Sequence, residues 1–319
     1  MMTTPTHTPV ALSRTLELIA PCLPAKDALV ADLTLGLGGH TEAILDAFPQ
    51  VTVVGIDRDA QALALATQRL AGFGSRLIAA HARYDELTDV LSTHVSGRCL
   101  NAVVLDAGVS SLQLDEATRG FSYLHDGVLD MRMNQTEPQD AADLVNTLSQ
   151  SELQRLFQRY GDEPLAARYA RAIVHARDSQ PIETTGALVS IIDEATPAGH
   201  PRRGHSAKRV FQALRIAVNH ELDSLEAALP QALDALCVGG RIVVLSYQSG
   251  EDRLVKHEID RRTKSSAPLD LPVVPTSDEP TFRWVIKGPE GPSDDEVDTN
   301  PRSRSLRLRA AEKIRETSP

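Results

Sequence analysis

The segment Asp32-Leu33-Thr34-Leu35-Gly36-Leu37-Gly38-Gly39-His40-Thr41 holds residue types suited to chemistry. It closes an apolar run and opens a stretch of helix formers. Glycines at such a strand-to-helix turn let the backbone bend tightly and approach a ligand with no Cβ in the way. The helix that follows begins with unpaired N–H groups. Asp57 closes the next run, VTVVGID, where its carboxylate is placed to accept hydrogen bonds from ribose hydroxyls. Together these residues predict a nucleoside-type cofactor site at the carboxyl ends of parallel strands. Asp106 ends a further run, AVVLD, and is expected to point into the same crevice. Tyr84 follows the run RLIAA, where it either flanks an adenine or packs. His40 is expected to cap the turn's helix or to touch the cofactor's tail.

A dinucleotide fingerprint wants Gly-x-Gly-x-x-Gly/Ala. The third position here is Thr41, which weakens the case for a pyrophosphate-bearing cofactor. An acid four positions before the first glycine, with a Gly-x-Gly-Gly turn, is similar to the first motif of S-adenosylmethionine-dependent methyltransferases.

The elements that must hold these residues alternate. Strand-like runs at 28–34, 51–57, 76–80 and 102–106 are separated by helical spacing at 43–48, 60–70 and 85–91. That alternation predicts an α/β fold, a mostly parallel sheet with helices on both faces. After Asp106 the pattern changes. Amphipathic stretches at 141–148, 151–160, 165–177 and 184–195 predict an all-helical insertion. A long helix over 211–229, a strand over 241–246, a charged helix over 251–262 and a closing strand pair at 281–287 and 306–310 complete the reading. The stretches 265–280 and 288–301 are expected to be loops. The domains expected are 1–113 and 206–319, forming one sheet domain, and 114–205 as the helical insertion.

Of 319 residues, 43 are acidic and 33 basic, for a net charge of -10. That balance argues against a protein that coats nucleic acid or membranes without selectivity. It leaves room for a local basic site. Between residues 195 and 220 lie Arg202, Arg203, Lys208, Arg209 and Arg215 with no acid, and these are the expected phosphate contacts. A second set, Arg302, Arg304, Arg307 and Arg309, reads more simply as strand-surface residues. Cys22, Cys99 and Cys237 are far apart and odd in number. A disulfide framework and a thiolate zinc site are therefore not expected, and a reducing cytoplasmic compartment is. No apolar run approaches the length of a membrane span, the first ten residues do not read as a signal peptide, and no catalytic metal is expected.

Longer segments carry a resemblance over nearly the whole chain. They include Leu105-Asp106-Ala-Gly-Val-Ser110-Ser111-Leu-Gln113, Gly127-Val-Leu-Asp130-Met-Arg132-Met, Phe211-Gln-Ala-Leu-Arg215-Ile-Ala-Val-Asn219-His-Glu221 and Ser246-Tyr-Gln-Ser249-Gly-Glu251-Asp252-Arg253. In these the chain resembles the bacterial small-subunit rRNA cytidine-N4 methyltransferases (the RsmH or MraW family). The resemblance implies a class I, Rossmann-like methyltransferase domain interrupted by a helical domain. It implies methyl transfer from S-adenosylmethionine to the exocyclic N4 of a cytidine in the decoding region of 16S rRNA. Cofactor contacts carried over are Gly38, Gly39, His40, Asp57, Tyr84, Asp106 and Gln113. Asp106, Ser110 and Ser111 are the candidate catalytic residues. The implied partner is 16S rRNA or the small ribosomal subunit, with the enzyme a monomer or homodimer.

The chain departs from the family at Ala107, where Leu is common, and at Leu112, where Pro is usual. Gln248 replaces a frequent His in a Ser-Phe-His-Ser segment, which implies that no proton transfer is required at that position. Two other readings compete. One is a methyltransferase acting on DNA or protein, but N4-amino DNA enzymes carry Pro-Pro-aromatic after the fourth strand, where this chain has Ala107-Gly-Val-Ser110. The other is a ribosome assembly factor that binds S-adenosylmethionine without catalysis.

Overall fold

The aliphatic runs become the strands of one seven-stranded sheet. In the computed structural model, which describes residues 9–199, 205–265, 267, 275 and 278–316, they are β1 (Ala28–Asp32), β2 (Val51–Asp57), β3 (Leu77–His81), β4 (Leu100–Asp106), β5 (Leu236–Ser246), β6 (Phe282–Trp284) and β7 (Arg307–Lys313). The helices are, in chain order, α1 (Leu12–Ile19), α2 (Gly39–Ala47), α3 (Ala60–Arg69), α4 (Leu87–His94), α5 (Ser111–Asp115), α6 (Ala141–Thr147), α7 (Gln150–Gly161), α8 (Ala166–Arg177), α9 (Thr185–Ala195), α10 (Lys208–Val218), α11 (Glu221–Asp234), α12 (Ser249–Thr263) and α13 (Asp294–Thr299).

The strand order is β3-β2-β1-β4-β5-β7-β6. β3, β2, β1, β4 and β5 pair in parallel, whereas β7 runs antiparallel to both β5 and β6. Successive side chains on a strand point to opposite faces, and the core follows that rule. Leu29, Ala31, Val103, Leu105, Ile242 and Val244 join one buried cluster with Leu225 and Leu229 of α11 and Val255 and Ile259 of α12. Val30, Ala102, Val104, Val243 and Leu245 join another with Leu18 and Ile19 of α1 and Ile44 and Leu45 of α2. Helices on both faces are what a parallel sheet needs, and every residue of β1, Asp32 included, is buried. Because β1, β2 and β4 are parallel and in register, Asp32, Asp57 and Asp106 all arrive at the same edge.

The chain divides into two compact units, one formed by residues up to Gly108 and from Leu222 onward, the other by Val109–Glu221. The helical unit is therefore longer than the expected 114–205. α10 packs against α7, and its Val210, Phe211 and Leu214 join Leu153, Phe157 and Tyr169 in that unit's core. Helices α6, α7 and α9 begin at side-chain caps: Asp140 accepts from the Asp143 N–H, Ser149 from Glu152 and Thr184 from Ala187.

Three expectations are corrected. The single helix over 211–229 is two helices, α10 and α11, broken at Asn219-His220. The buried Asn219 amide donates to the Met131 carbonyl at 2.7 Å and accepts from the Met133 N–H at 2.8 Å, and His220 takes a left-handed φ of 49°. The loop expected at 288–301 contains α13, capped by Ser293. A disulfide joins Cys99 and Cys237, with Cα atoms 5.1 Å apart. The sheet brings this pair close: Leu100 and Leu236 are register partners at the start of the parallel strands β4 and β5, and Cys99 precedes the one while Cys237 follows the other. A separation of 138 residues hides it from any spacing rule. Closing so long a loop restricts the unfolded chain by about 5 kcal/mol in the loop-entropy picture.

Alkylation of the denatured, unreduced protein is expected to label Cys22 alone, and all three cysteines after reduction. Reduction should lower the urea midpoint by the equivalent of about 2–5 kcal/mol. Labelling of all three without reductant would show the bond is absent. In the native state Cys22 should react slowly, because burial pushes its thiol up to about 11.

Candidate functional site

The turn after β1 is fixed by backbone geometry. Leu35 donates to the Ile56 carbonyl at 2.9 Å, Gly38 to the Leu35 carbonyl at 2.7 Å and Gly36 to Asp57 Oδ2 at 2.6 Å. Gly38 has a left-handed φ of 81°, and a Cβ there would lie 2.8 Å from Leu70 Cδ1. A Cβ on Gly39 would lie 2.4 Å from Pro9 Cγ. Gly38 and Gly39, expected as cofactor contacts, are thus glycines because the protein packs against them. Gly36 differs. A Cβ there meets only the Thr34 carbonyl at 3.8 Å, so its outer face is the one left clear for a ligand.

Asp57 is the turn's anchor. Its Oδ2 accepts from Gly36 and its Oδ1 from the Asp59 N–H at 2.8 Å. Burial pushes its carboxyl up to about 6; these two N–H groups oppose the shift, and the charges of Asp59 and Asp32 add to it. Each oxygen keeps a second lone pair. A pair of neighbouring hydroxyls, such as a ribose offers, matches that acceptor pair.

Beside it lies a chain of buried polar groups. Asp32, 1% exposed, accepts from Thr41 Oγ1 at 2.7 Å and from the Thr34 N–H at 3.2 Å. The Asp106 N–H donates to Thr34 Oγ1 at 2.7 Å, and the Tyr247 hydroxyl donates to Asp106 Oδ1 at 2.8 Å. Asp106 Oδ2 stands 4.0 Å from His40 Nδ1, and the Asp106 side chain remains 27% exposed. His40 Nε2 lies 3.1 Å from the Val10 carbonyl. A carbonyl only accepts, so Nε2 carries a proton and Nδ1 faces the carboxylate. Burial raises both Asp32 and Asp106, with His40 opposing in each case. The Tyr247 hydroxyl is pushed far up by burial and by Asp106, so it stays a donor. The Tyr247 and Gln248 N–H groups donate to Glu251 Oε2 at 2.9 and 3.2 Å, and Glu251 is 2% exposed. Gln248 therefore begins α12, where the sequence pointed to a missing histidine.

The other expected residues divide. Tyr84 opens the short helical turn Tyr84–Glu86 after β3 and packs, half-buried, against the sheet core. Ser110, Ser111 and Gln113 lie in the helical unit. There the Ser110 N–H donates to Gln113 Oε1 at 3.0 Å and the Gln113 N–H to Ser110 Oγ at 3.3 Å, a reciprocal cap for α5. Arg202 and Arg203 lie outside the described residues. Lys208 and Arg209 are exposed, and Arg209 also donates to the Asp162 carbonyl at 2.8 Å. Arg215 is taken out of the phosphate set. Its guanidinium grips both oxygens of Glu221 at 2.7 and 2.8 Å, with side-chain exposures of 14% and 6%. Releasing it would strand a buried carboxylate at a cost of about 3–5 kcal/mol. Arg307 and Arg309 converge on Asp252; Arg307 is exposed, whereas Arg309 is buried with the carboxylate and is not the strand-surface residue expected. Among the described residues no group of three or more His, Cys, Asp or Glu is placed to hold a metal. No described helix is long and apolar enough to cross a membrane.

Sequence reasoning missed the roles of Tyr247 and Gly36. Tyr247 had a signal, an aromatic hydroxyl just beyond the strand that neighbours β4. Gly36 had none to separate it from the other glycines of the turn.

Residues 4–314 match the model of the MraW methylase family. The chain is 51% identical over 312 residues to the ribosomal RNA small subunit methyltransferase H of Beutenbergia cavernae, covering 98% of this chain and 93% of that protein. It is 51% identical over 311 residues to the protein of the same name from Saccharopolyspora erythraea, covering 97% and 94%.

The Asp57 geometry predicts a pH dependence. A ligand whose hydroxyls donate to Asp57 favours the carboxylate over the acid, so S-adenosylmethionine affinity should fall about tenfold from about pH 7.5 to about pH 5. Asp57→Asn should weaken binding at the higher pH and remove that dependence, as read by calorimetry. Stability has the opposite sign. A raised carboxyl favours the fold most below the unfolded value near 3.8, and that contribution is lost as pH rises through about 6.

Proposed function

The chain belongs to the MraW methylase family, and from that premise we propose that this small-subunit rRNA methyltransferase places its methyl group on the exocyclic N4 of a cytidine in the decoding region of 16S rRNA. The methyl group comes from S-adenosylmethionine. The observation that carries the reading is Asp106: a carboxylate at the end of β4, on the same sheet edge as Asp57 and Gly36, with one oxygen held by Tyr247 and the side chain still partly exposed.

The residues present fit the cofactor. Asp57 offers acceptors to a ribose, and Gly36 leaves a clear face beside it. When bound, S-adenosylmethionine supplies a methyl group on a sulfonium, already a good leaving group, so the protein's task is alignment. The nucleophile is the harder partner, because the N4 lone pair of cytosine is delocalised into the ring. Asp106 Oδ2 is placed to accept a hydrogen bond from an amino proton. That bond orients the amine and stabilises the positive charge that develops on it. The proton then leaves to Oδ2, whose basicity burial has raised. Ser110 and Ser111 follow Asp106 in the chain, and we assign them to base placement rather than proton transfer, since Ser110 caps α5.

The base must leave its stack to reach such a site, which favours an accessible single-stranded element. Lys208 and Arg209, exposed at the start of α10, are the described members of the phosphate-contact set. Gly38, Gly39 and Tyr84 shape the cofactor site from behind, and His40 and Gln113 act through Asp106 and Ser110. The expected location is the cytoplasm, with the ribosomal subunits.

Labelled-methyl transfer to naked 16S rRNA, assembled small subunits and DNA, followed by nucleoside mass analysis, should yield N4-methylcytidine from RNA. Asp106→Ala should lower turnover by about 100-fold or more. Methylation of DNA, or wild-type turnover in that variant, would overturn the assignment. Reversing Lys208 and Arg209 to Glu should raise the KM for RNA and flatten its dependence on salt, whereas an unchanged salt slope would remove them from the interface.

A further inference from the structure

The Tyr247 hydroxyl reaches Asp106 Oδ1 from β5's side of the sheet edge. It follows β5, the parallel neighbour of β4, and Leu245 is the register partner of Asp106. Two constraints fix it. The ring is half-buried among the sheet core residues, and the Tyr247 N–H is held by the buried Glu251 carboxylate at the start of α12. A hydroxyl so restrained offers Asp106 a preorganised donor with no reorientation needed.

We propose that Tyr247 is a positioning residue for methyl transfer: its hydroxyl occupies Asp106 Oδ1, so that Oδ2 alone faces the reacting amine, and it favours the ionised form of Asp106. The inference rests on the N4 reading for its last step, but its first step concerns Asp106 in the ligand-free protein.

The charge balance explains why such a donor is needed. Asp32 from β1 and Asp106 from β4 are like charges on adjacent strands, and burial disfavours the ionised form of each. His40 from α2 favours the ionised form of both, and Tyr247 favours that of Asp106; Glu251 and Glu296 act in turn on Tyr247. His40 Nδ1 is 4.0 Å from Asp106 Oδ2, beyond hydrogen-bond distance. The Tyr247 hydroxyl donates a side-chain hydrogen bond to this carboxylate at 2.8 Å. A donor to the charged form favours that form. The Ser246-Tyr247-Gln248-Ser249 segment also gains meaning. Where the resembling family often places Phe followed by His, this chain has a hydroxyl one residue earlier, and its amide begins a helix.

The test is Tyr247→Phe, which keeps the ring and removes only the donor. Carbon-13 carboxyl NMR of the cofactor-free protein, with Asp106→Asn to assign the resonance, should show the Asp106 titration midpoint higher in Tyr247→Phe by roughly half to one pH unit. The acid limb of the kcat profile should move up by the same amount, with the KM for S-adenosylmethionine unchanged. Glu251 and the ring packing are untouched, so thermal melting should match wild type and confirm that the fold is intact. An unmoved midpoint and acid limb in a folded variant would overturn the proposal and leave the N4 assignment standing. A moved midpoint in a protein that makes no N4-methylcytidine would uphold the contact and overturn the reading of the reaction.

Discussion

Three carboxylates, Asp32, Asp57 and Asp106, are carried to one edge of a sheet that is covered on both faces, where their mutual repulsion is poorly screened. Each is tolerated by different partners. Asp32 leans on Thr41 and the Thr34 N–H, Asp57 on the N–H groups of Gly36 and Asp59, and Asp106 on Tyr247. The left-handed glycine turn, the entry into α2 and the start of α12 all follow from supplying those donors. The same repulsion makes the edge attractive to a cationic ligand that also brings hydroxyl donors, and a sulfonium nucleoside is such a ligand.

Much of this was legible in the sequence because strands announce themselves locally. The runs ending in Asp57 and Asp106 were bounded to the residue at their carboxyl ends, and that is where the chemistry lies. The glycine turn was legible as a turn, but its glycines could not be ranked. Whether a Cβ meets Leu70, Pro9 or open space depends on segments distant in sequence. The charge run near residue 208 was legible as charge only. Glu221 captures Arg215 from a neighbouring turn of chain, and no count of lysines and arginines foresees it.

The helix break at Asn219 shows the same limit from the other direction. Periodicity runs through it, since apolar spacing is kept on both sides. It breaks because a buried amide must satisfy Met131 and Met133, and their backbone groups arrive from a segment far upstream. Long-range polar satisfaction overrode local propensity there. Tyr247 was hidden for the same reason. A tyrosine after a strand is unremarkable until the register of β5 against β4 brings its hydroxyl to a carboxylate 141 residues earlier.

The Cys99–Cys237 bond has a topological consequence. Cys99 precedes the whole of the helical unit and Cys237 follows it. The backbone between them, closed by the sulfurs, is a covalent ring that contains every residue from Val109 to Glu221. While the bond is intact, one cut anywhere in that ring leaves a single molecule, because the two halves of the sheet-forming unit stay tied at the amino-terminal ends of their central strands. Once it is reduced, the same cut yields two separate polypeptides.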